Sequence, residues 1–199
     1  MKILSPTTIL FAAVLATGTA CTTQTANTSA SSLIPNINDI AQITNFNGYV
    51  PADTLRSDKP SDPDPHAPET CKAVFDKTVT FGDSFKEFSS VVYRGRTNSQ
   101  IKGLVEVSAS IGIYPDPNAA NATFSRLLPA FTKCSDGHYQ NYDFILAQPD
   151  PTTIMLKAKH WNAVYRRKGS LIADVSTVGL PNTQAVQTIM DSITDKAPA

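Results

Sequence analysis

The sequence contains no run of five charges of one sign, and its 17 basic residues are balanced by 17 acidic residues in a chain of 199. Proteins that bind nucleic acid or strongly acidic surfaces usually carry an excess of positive charge gathered on one face. This chain offers no such excess. We therefore do not expect nucleic acid among its partners.

Sequence motifs of catalysis are also missing. The chain has no G-x-S-x-G elbow, no H-E-x-x-H, no glycine-rich phosphate loop and no Walker lysine. Its three histidines, His66, His138 and His160, share no local motif. The sequence therefore predicts no enzyme, no catalytic residue and no bound cofactor.

One short cluster could bind a hard cation. Asp62-Pro63-Asp64-Pro65-His66 would present two carboxylates and an imidazole on one side of an extended chain. Because no further ligands stand nearby, we interpret the cluster as a solvated proline-rich loop and predict no metal site.

A long apolar run is missing everywhere except at the start of the chain. Lys2 is the single charge among the first twenty residues, residues 9–16 are apolar, and small residues follow at 18–20. This is the layout of a secretory signal peptide, and its apolar run is about half the length that a lasting membrane span needs. We expect 1–20 to be a signal peptide and the mature chain to have no transmembrane helix.

The cysteine that follows the signal indicates a lipid anchor. Gly18-Thr19-Ala20-Cys21 resembles the lipobox of bacterial lipoproteins, whose cysteine receives a diacylglyceryl group, although the family prefers Leu where Gly18 stands. Ordinary cleavage after Ala20 is the alternative. Two or more acyl chains give stable anchoring, so lipidation of Cys21 predicts a protein held at the extracytoplasmic face of the cell membrane.

Three cysteines in an exported chain leave one without an intramolecular partner. Lipidation of Cys21 removes the odd one, which leaves Cys71 and Cys134 to pair in an oxidising compartment. A disulfide between them closes a loop of about 64 residues, for which the chain-entropy model gives a stabilisation of about 4 kcal/mol. A two-thiol metal site is the alternative, but the chain has neither a C-x-x-C pair nor a histidine pair near these cysteines.

The chain after the anchor divides into a tether and one domain. Residues 21–32 are small, polar and uncharged, which is typical of a flexible tether, and the domain is expected over 33–199. Helices are predicted over 33–44, over 118–131 with a kink at Pro129, and after Thr183, with Asn182 or Thr183 as the cap. The five prolines within 46–70 predict a long surface loop.

The clearest periodic signal is a strand over 101–114, where apolar and polar residues alternate. This order of elements predicts a single α+β domain, with an antiparallel β-sheet of about five to six strands and packed helices. Further strands are predicted over 142–147, 152–159, 161–167 and 171–178, the last two joined by a turn at Lys168-Gly169.

The order of these elements resembles a known family. A strand ending in Ile113-Tyr114-Pro115 leads to a helix and Cys134, and later come Trp161, a valine-rich strand and a final helix, while Cys71 matches an upstream cysteine. This pattern is similar to the extracellular sensor domain of the mycobacterial kinase PknH and of related sensor-domain lipoproteins. That family commonly has a second disulfide, and Ala163 and Val178 stand at its positions here.

The resemblance implies a non-catalytic domain that detects a ligand or a partner outside the cell. Its expected partners are the membrane, through the lipid anchor, and a small apolar molecule, a lipid, a cell-wall fragment or an envelope protein. A hydrolase or transferase acting on envelope material is the alternative, and a purely structural envelope protein is a third. A nucleophile with an orienting base would mark the enzyme, and the sequence shows none.

Aromatic residues near the strand ends are the candidates to line a ligand cleft. We predict a mostly apolar groove formed in part by Trp161, Tyr165 and Tyr114 and bordered by the proline-rich loop. Packing of the same rings into the core is the alternative.

Overall fold

The computed structural model describes residues 28–97, 103–180 and 183–198. The predicted signal peptide, Cys21 and most of the predicted tether lie outside these residues. None of the described helices is both long and apolar enough to cross a bilayer.

One seven-stranded antiparallel sheet forms the centre of the domain, in the order β1-β2-β3-β7-β6-β5-β4. The predicted α+β class and single domain are confirmed, and the strand count is seven rather than five or six. The strands are β1 (Leu55–Ser57), β2 (Glu87–Arg96), β3 (Leu104–Ile113), β4 (Phe144–Asp150), β5 (Thr153–Ala158), β6 (Trp161–Lys168) and β7 (Leu171–Val178).

The sequence did not predict β1 and β2. The three residues of β1 are exposed at the sheet edge, within the proline-rich segment that was predicted to be loop throughout. In β2, Phe88 faces one side of the sheet, while Val91 and Tyr93 face the other. Because both faces of this strand are covered, its apolar residues do not follow a simple alternation.

One face of the sheet is covered by α1 (Ala30–Leu33), α2 (Ile37–Thr44) and α7 (Gln184–Lys196). The predicted first helix is divided, because the side chain of Asn36 accepts from the backbone N–H groups that start α2. Ala30 is fully buried, so the domain begins before residue 33, inside the predicted tether. Thr183 occupies the cap position of α7 without a side-chain capping bond, and Asn182 lies outside the described residues.

The opposite face is covered by four short helices. These are α3 (Lys72–Phe75), α4 (Lys77–Phe81), α5 (Pro117–Phe124) and α6 (Leu127–Asp136). The single helix predicted over 118–131 is in fact two. Its break falls at Ser125 and Arg126 rather than at Pro129, because Pro129 lies in the first turn of α6, where its missing N–H removes no helical hydrogen bond.

The predicted disulfide is present between Cys71 and Cys134, whose Cα atoms lie 4.7 Å apart. It joins the short 3-10 turn ahead of α3 to α6, and both cysteines are fully buried. The bond therefore holds together the layer of short helices on one face of the sheet.

Candidate ligand-binding site

The structure does not bring the three predicted cleft residues onto one groove. The ring of Tyr165 is fully buried against Phe131, and its hydroxyl donates to the carbonyl oxygen of Val74. Tyr114 is also buried, and its hydroxyl donates to the carbonyl oxygen of Phe81 at 2.7 Å. Both rings therefore belong to the aromatic core, because the segment carrying α3 and α4 satisfies their hydroxyl groups.

Trp161 alone of the three retains an edge at the surface, with 7% of the residue exposed. Its Nε1 donates to the carbonyl oxygen of Asn141 at 3.0 Å. The exposed edge lines a shallow surface groove of about 390 Å³ beside Lys159 and His160. The ring also packs against Phe75 of α3, with 5.0 Å between the ring centroids.

Four serines form a compact patch on the face of the sheet that the short helices cover. Backbone pairing places Ser90 of β2 beside Ser110 of β3, and Ser108 of β3 beside Ser176 of β7. They share one face because paired residues, and residues two apart on a strand, point to the same side. We call these four residues the serine patch.

A cavity of about 100 Å³ lies over the serine patch. Its other walls include Phe75 of α3, Lys77 of α4, and Ser61 and Pro63 of the proline-rich loop. The backbone N–H of Lys77 donates to the carbonyl oxygen of Ser61 at 3.0 Å, which holds the loop against α4. We call this space the serine cavity.

A buried ion pair stands beside the cavity. Lys77 Nζ donates to Asp174 Oδ2, and both side chains are almost wholly buried. Asp174 is the partner of Ser110 in the register of β3 and β7, so the two share a face. Burial raises the pKa of the Asp174 carboxyl above its ordinary value, and the Lys77 ammonium opposes that rise. The pair adds polarity to the site without adding net charge.

Two polar atoms at this place have no hydrogen-bond partner among the described residues. They are Ser110 Oγ and Asp174 Oδ1. Ser110 is fully buried and lines the cavity. A buried polar atom without a partner costs about 1–3 kcal/mol, and native proteins retain few of them. Ser110 Oγ is the one of the two that lines the cavity, so the cavity is suited to a molecule that offers it a hydrogen-bond donor or acceptor.

The open side of the cavity carries a second ion pair. Arg94 Nε donates to Glu106 Oε2 at 2.8 Å, and both side chains line the cavity and are partly exposed. In the sheet register, these residues form one row with Val178 and Trp161. Trp161 therefore lies close to the mouth of the cavity, although its own exposed edge lines the surface groove.

The serine patch lacks the partners that would make one of its hydroxyl groups a nucleophile. Lys77 is the basic group beside the serines, and among the described residues its Nζ bonds to Asp174 and to no serine hydroxyl. A serine nucleophile needs an adjacent base within hydrogen-bond reach.

The acidic proline loop has structural contacts of its own. Asp64 Oδ2 accepts from the hydroxyl of Tyr142 at 2.6 Å, and Asp64 Oδ1 accepts from the backbone N–H of His66 at 3.2 Å. Within the described part of the chain, no group of three or more acidic, histidine or cysteine side chains is placed to hold a metal ion.

Sequence reasoning missed the serine patch, although the signal was present. Ser108 and Ser110 alternate with apolar residues along β3, and that pattern predicted a strand half-exposed to solvent. Both serines are buried because α3, α4 and the proline-rich loop cover that face. The available clue was the proline-rich segment, which is long enough to fold over a polar strand face.

Comparisons with known proteins agree with this architecture. A family model described as the PknH-like extracellular domain matches residues 25–196. The fold is similar to the crystal structure of the extracellular domain of PknH from Mycobacterium tuberculosis, with a TM-score of 0.62 and 15% sequence identity, over 84% of this chain and 93% of that one. A search of curated proteins finds no match.

Proposed function

The chain belongs to the family of PknH-like extracellular domains, and from this premise we propose that it is a lipid-anchored lipoprotein whose domain binds a ligand without transforming it. The domain is an extracytoplasmic, sensor-like one. The observation that carries the binding proposal is the serine cavity, with the unpartnered hydroxyl of Ser110 in its wall.

The anchor is proposed from the sequence around Cys21. A signal peptide followed at once by a cysteine supplies the thiol that a diacylglyceryl group requires, and the structure pairs the other two cysteines with each other. Cys21 is then the free thiol of the mature chain. Two or more acyl chains on it are sufficient for stable membrane attachment.

The tether would enter the domain at the opposite end of β2 from the cavity mouth. The backbone N–H of Ala30 donates to Glu87 Oε1 at 2.7 Å, so the chain enters where β2 begins. Arg94, at the mouth, is farther along β2 by about 24 Å at ~3.4 Å per residue. The segment from Cys21 to Ala30 spans at most about 30 Å. A segment of that length can reach past the whole length of β2, so the domain would be able to turn on its tether and present the cavity mouth away from the membrane.

The absence of turnover is proposed from the chemistry of the cavity. An envelope-acting hydrolase or transferase would need a nucleophile with an orienting base. In the described residues that line the cavity, the serines have no histidine beside them, and Lys77 is occupied by Asp174. Binding requires only the shape and the hydrogen-bonding groups that the cavity has.

Native mass spectrometry of the full chain tests both parts of this proposal. The protein is expressed in a host that processes lipoproteins and extracted in a mild detergent without a sugar headgroup. We expect a chain acylated at Cys21 that retains a small molecule. Cys21→Ser should remove the acyl mass and move the protein out of the membrane fraction.

The matched variant is Ser108→Leu, which fills the serine cavity and leaves Cys21 unchanged. It should lose the small molecule and keep the acyl groups. An unmodified Cys21 in the wild-type chain would overturn the anchor. A small molecule retained equally by Ser108→Leu, no retained molecule, or its release as a chemically altered product would overturn the binding function.

A further inference from the structure

We infer that the serine cavity receives an uncharged, hydroxyl-rich group, such as the terminal unit of a sugar or polyol, and excludes an anionic group. This inference rests on the proposed function, because it names the ligand class of the same cavity. Three properties of the cavity lead to it: charge balance, hydrogen-bonding character and size.

The charges around the cavity cancel in two separate pairs. Lys77 is bonded to Asp174 on the buried side, and Arg94 is bonded to Glu106 at the mouth. A phosphate or carboxylate in this space would meet two cations that are already neutralised, and it would lie close to two carboxylates. Like charges at such distances repel strongly in a partly desolvated site. The cavity therefore favours a neutral occupant.

The hydrogen-bonding groups require an occupant that both donates and accepts. Ser110 Oγ lines the cavity without a partner and can donate or accept, and the hydroxyl groups of the other three serines line the same space. A hydroxyl group of the occupant can donate to one serine and accept from another, whereas a carboxylate or phosphate dianion has no proton to donate. An apolar occupant would leave the Ser110 hydroxyl without a partner.

The size of the cavity limits the occupant to one end of a ligand. Its volume is about 100 Å³, whereas sites for whole drug-sized ligands measure roughly 300–1,000 Å³. The rest of the ligand would extend past Arg94 and Glu106 into solvent. Phe75 supplies an aromatic wall, against which the C–H groups of a sugar ring can pack.

Saturation-transfer NMR on the full chain, in a detergent without a sugar headgroup, provides the test. The probes are glucose, mannose, arabinose, myo-inositol and glycerol, together with glucose 6-phosphate, glucuronate and inositol phosphate as charged analogues. We expect at least one neutral probe to bind and its charged analogue to bind at least tenfold more weakly. Quenching or shifting of Trp161 fluorescence through its contact with Phe75 gives an independent signal.

A matched pair of variants assigns the binding to the cavity. Ser110→Val removes the unpartnered hydroxyl and fills the space, and it should weaken binding of the neutral probe at least tenfold. Thr177→Val is the control, because Thr177 also has a buried hydroxyl without a partner among the described residues but faces the opposite side of the sheet. This control should bind as the wild type does.

A third variant tests the charge argument. Asp174→Asn leaves the shape of the site almost unchanged and frees the Lys77 ammonium from its partner. The ratio of affinities for the anionic and neutral probes should then rise at least tenfold. The amide spectrum of each variant shows whether it has retained the wild-type fold.

Several results would overturn the inference. They are equal or tighter binding of the anionic probes by the wild type, wild-type affinity in Ser110→Val, an unchanged ratio in Asp174→Asn, or no binding of any neutral probe. If the molecule identified by native mass spectrometry is anionic or apolar and is displaced by Ser108→Leu, the ligand class is wrong and the binding function remains. If Ser108→Leu does not displace it, the binding function itself is wrong.

Discussion

The two faces of the sheet differ in polarity, although the same strands form both. On one face, which we call the dry face, Val107, Ala109 and Ile111 of β3 pack against α1, α2 and α7 in a continuous apolar core. On the other, the serine face, the alternate residues Ser108 and Ser110 lie beneath a cavity and a buried ion pair. The dry face supplies hydrophobic stabilisation. The serine face has less of that stabilisation, because polar side chains of the candidate site occupy positions that are apolar on the dry face.

The serine face compensates for its polar part with neighbouring aromatic packing and a disulfide. Tyr165, Phe131 and Trp161 belong to one buried cluster, which also contains Cys71 and Cys134. The polar patch is therefore bordered by a rigid, cross-linked layer.

The largest expected effect comes from removing the disulfide. Replacing Cys71 and Cys134 by Ser should lower the free energy of unfolding by about 4 kcal/mol, because the cross-link no longer restricts the unfolded chain. Urea denaturation measures the change. Hydrogen exchange should show greater loss of amide protection in α6, on the serine face, than in α7, on the dry face. Equal loss in both helices would show that the disulfide does not stabilise the serine face more than the dry face.

A smaller effect is expected from a pair of neighbours on β3. Ile111→Ala should lower the free energy of unfolding by about 3 kcal/mol, because it leaves a hole in the dry core. Ser110→Ala, one residue away and on the opposite face, should change it by less than about 1 kcal/mol, with a tendency to stabilise, because an unpartnered buried hydroxyl is removed. Similar destabilisation by both variants would show that Ser110 has a structural role.

The smallest expected effect is a loss of stability in alkali. Burial raises the pKa of Tyr114 from 10.0 to about 12, so the folded chain retains this proton at a pH where the unfolded chain releases it. The contribution of Tyr114 to the free energy of unfolding is therefore fully present below pH 10 and is lost as the pH rises toward 12. The total loss is on the order of 2 kcal/mol. Denaturation at a series of pH values measures it.

Two tyrosine variants separate the sources of this alkaline loss. Tyr114→Phe should flatten the pH dependence, and so should Tyr93→Phe on the dry face, because burial also raises the pKa of Tyr93. Tyr139→Phe is the control, since that side chain is exposed. An unchanged slope in Tyr114→Phe would show that its hydroxyl is not protected by the fold.

Local signals in the sequence predicted much of the fold. The alternation along β3 and the turn between β6 and β7, where Gly169 has a φ of 55°, are confirmed. The resemblance to the PknH-like family is also confirmed. Elements whose residues depend on distant partners were missed or misplaced. Examples are β2, which is covered on both faces, and the helix break ahead of Leu127.

The candidate site was predicted less well than the fold. The pairing of Cys71 with Cys134 followed from counting cysteines, and the structure contains that bond. Tyr114 and Tyr165 were predicted to line a cleft, although aromatic rings near strand ends occur in cores as well as in clefts. Only the packing of α3 and α4 over the sheet decides between the two, by burying these rings and satisfying their hydroxyl groups.

The sequence by itself determined the class of fold and the disulfide, because periodicity and cysteine number are local or countable properties. The tertiary structure alone brought the residues of the candidate site together. Ser90, Ser108, Ser110 and Ser176 come from three strands, and Lys77 comes from a separate helix. Their meeting depends on strand register and on the loop that folds over them, and long-range contacts of that kind leave no short pattern in the chain.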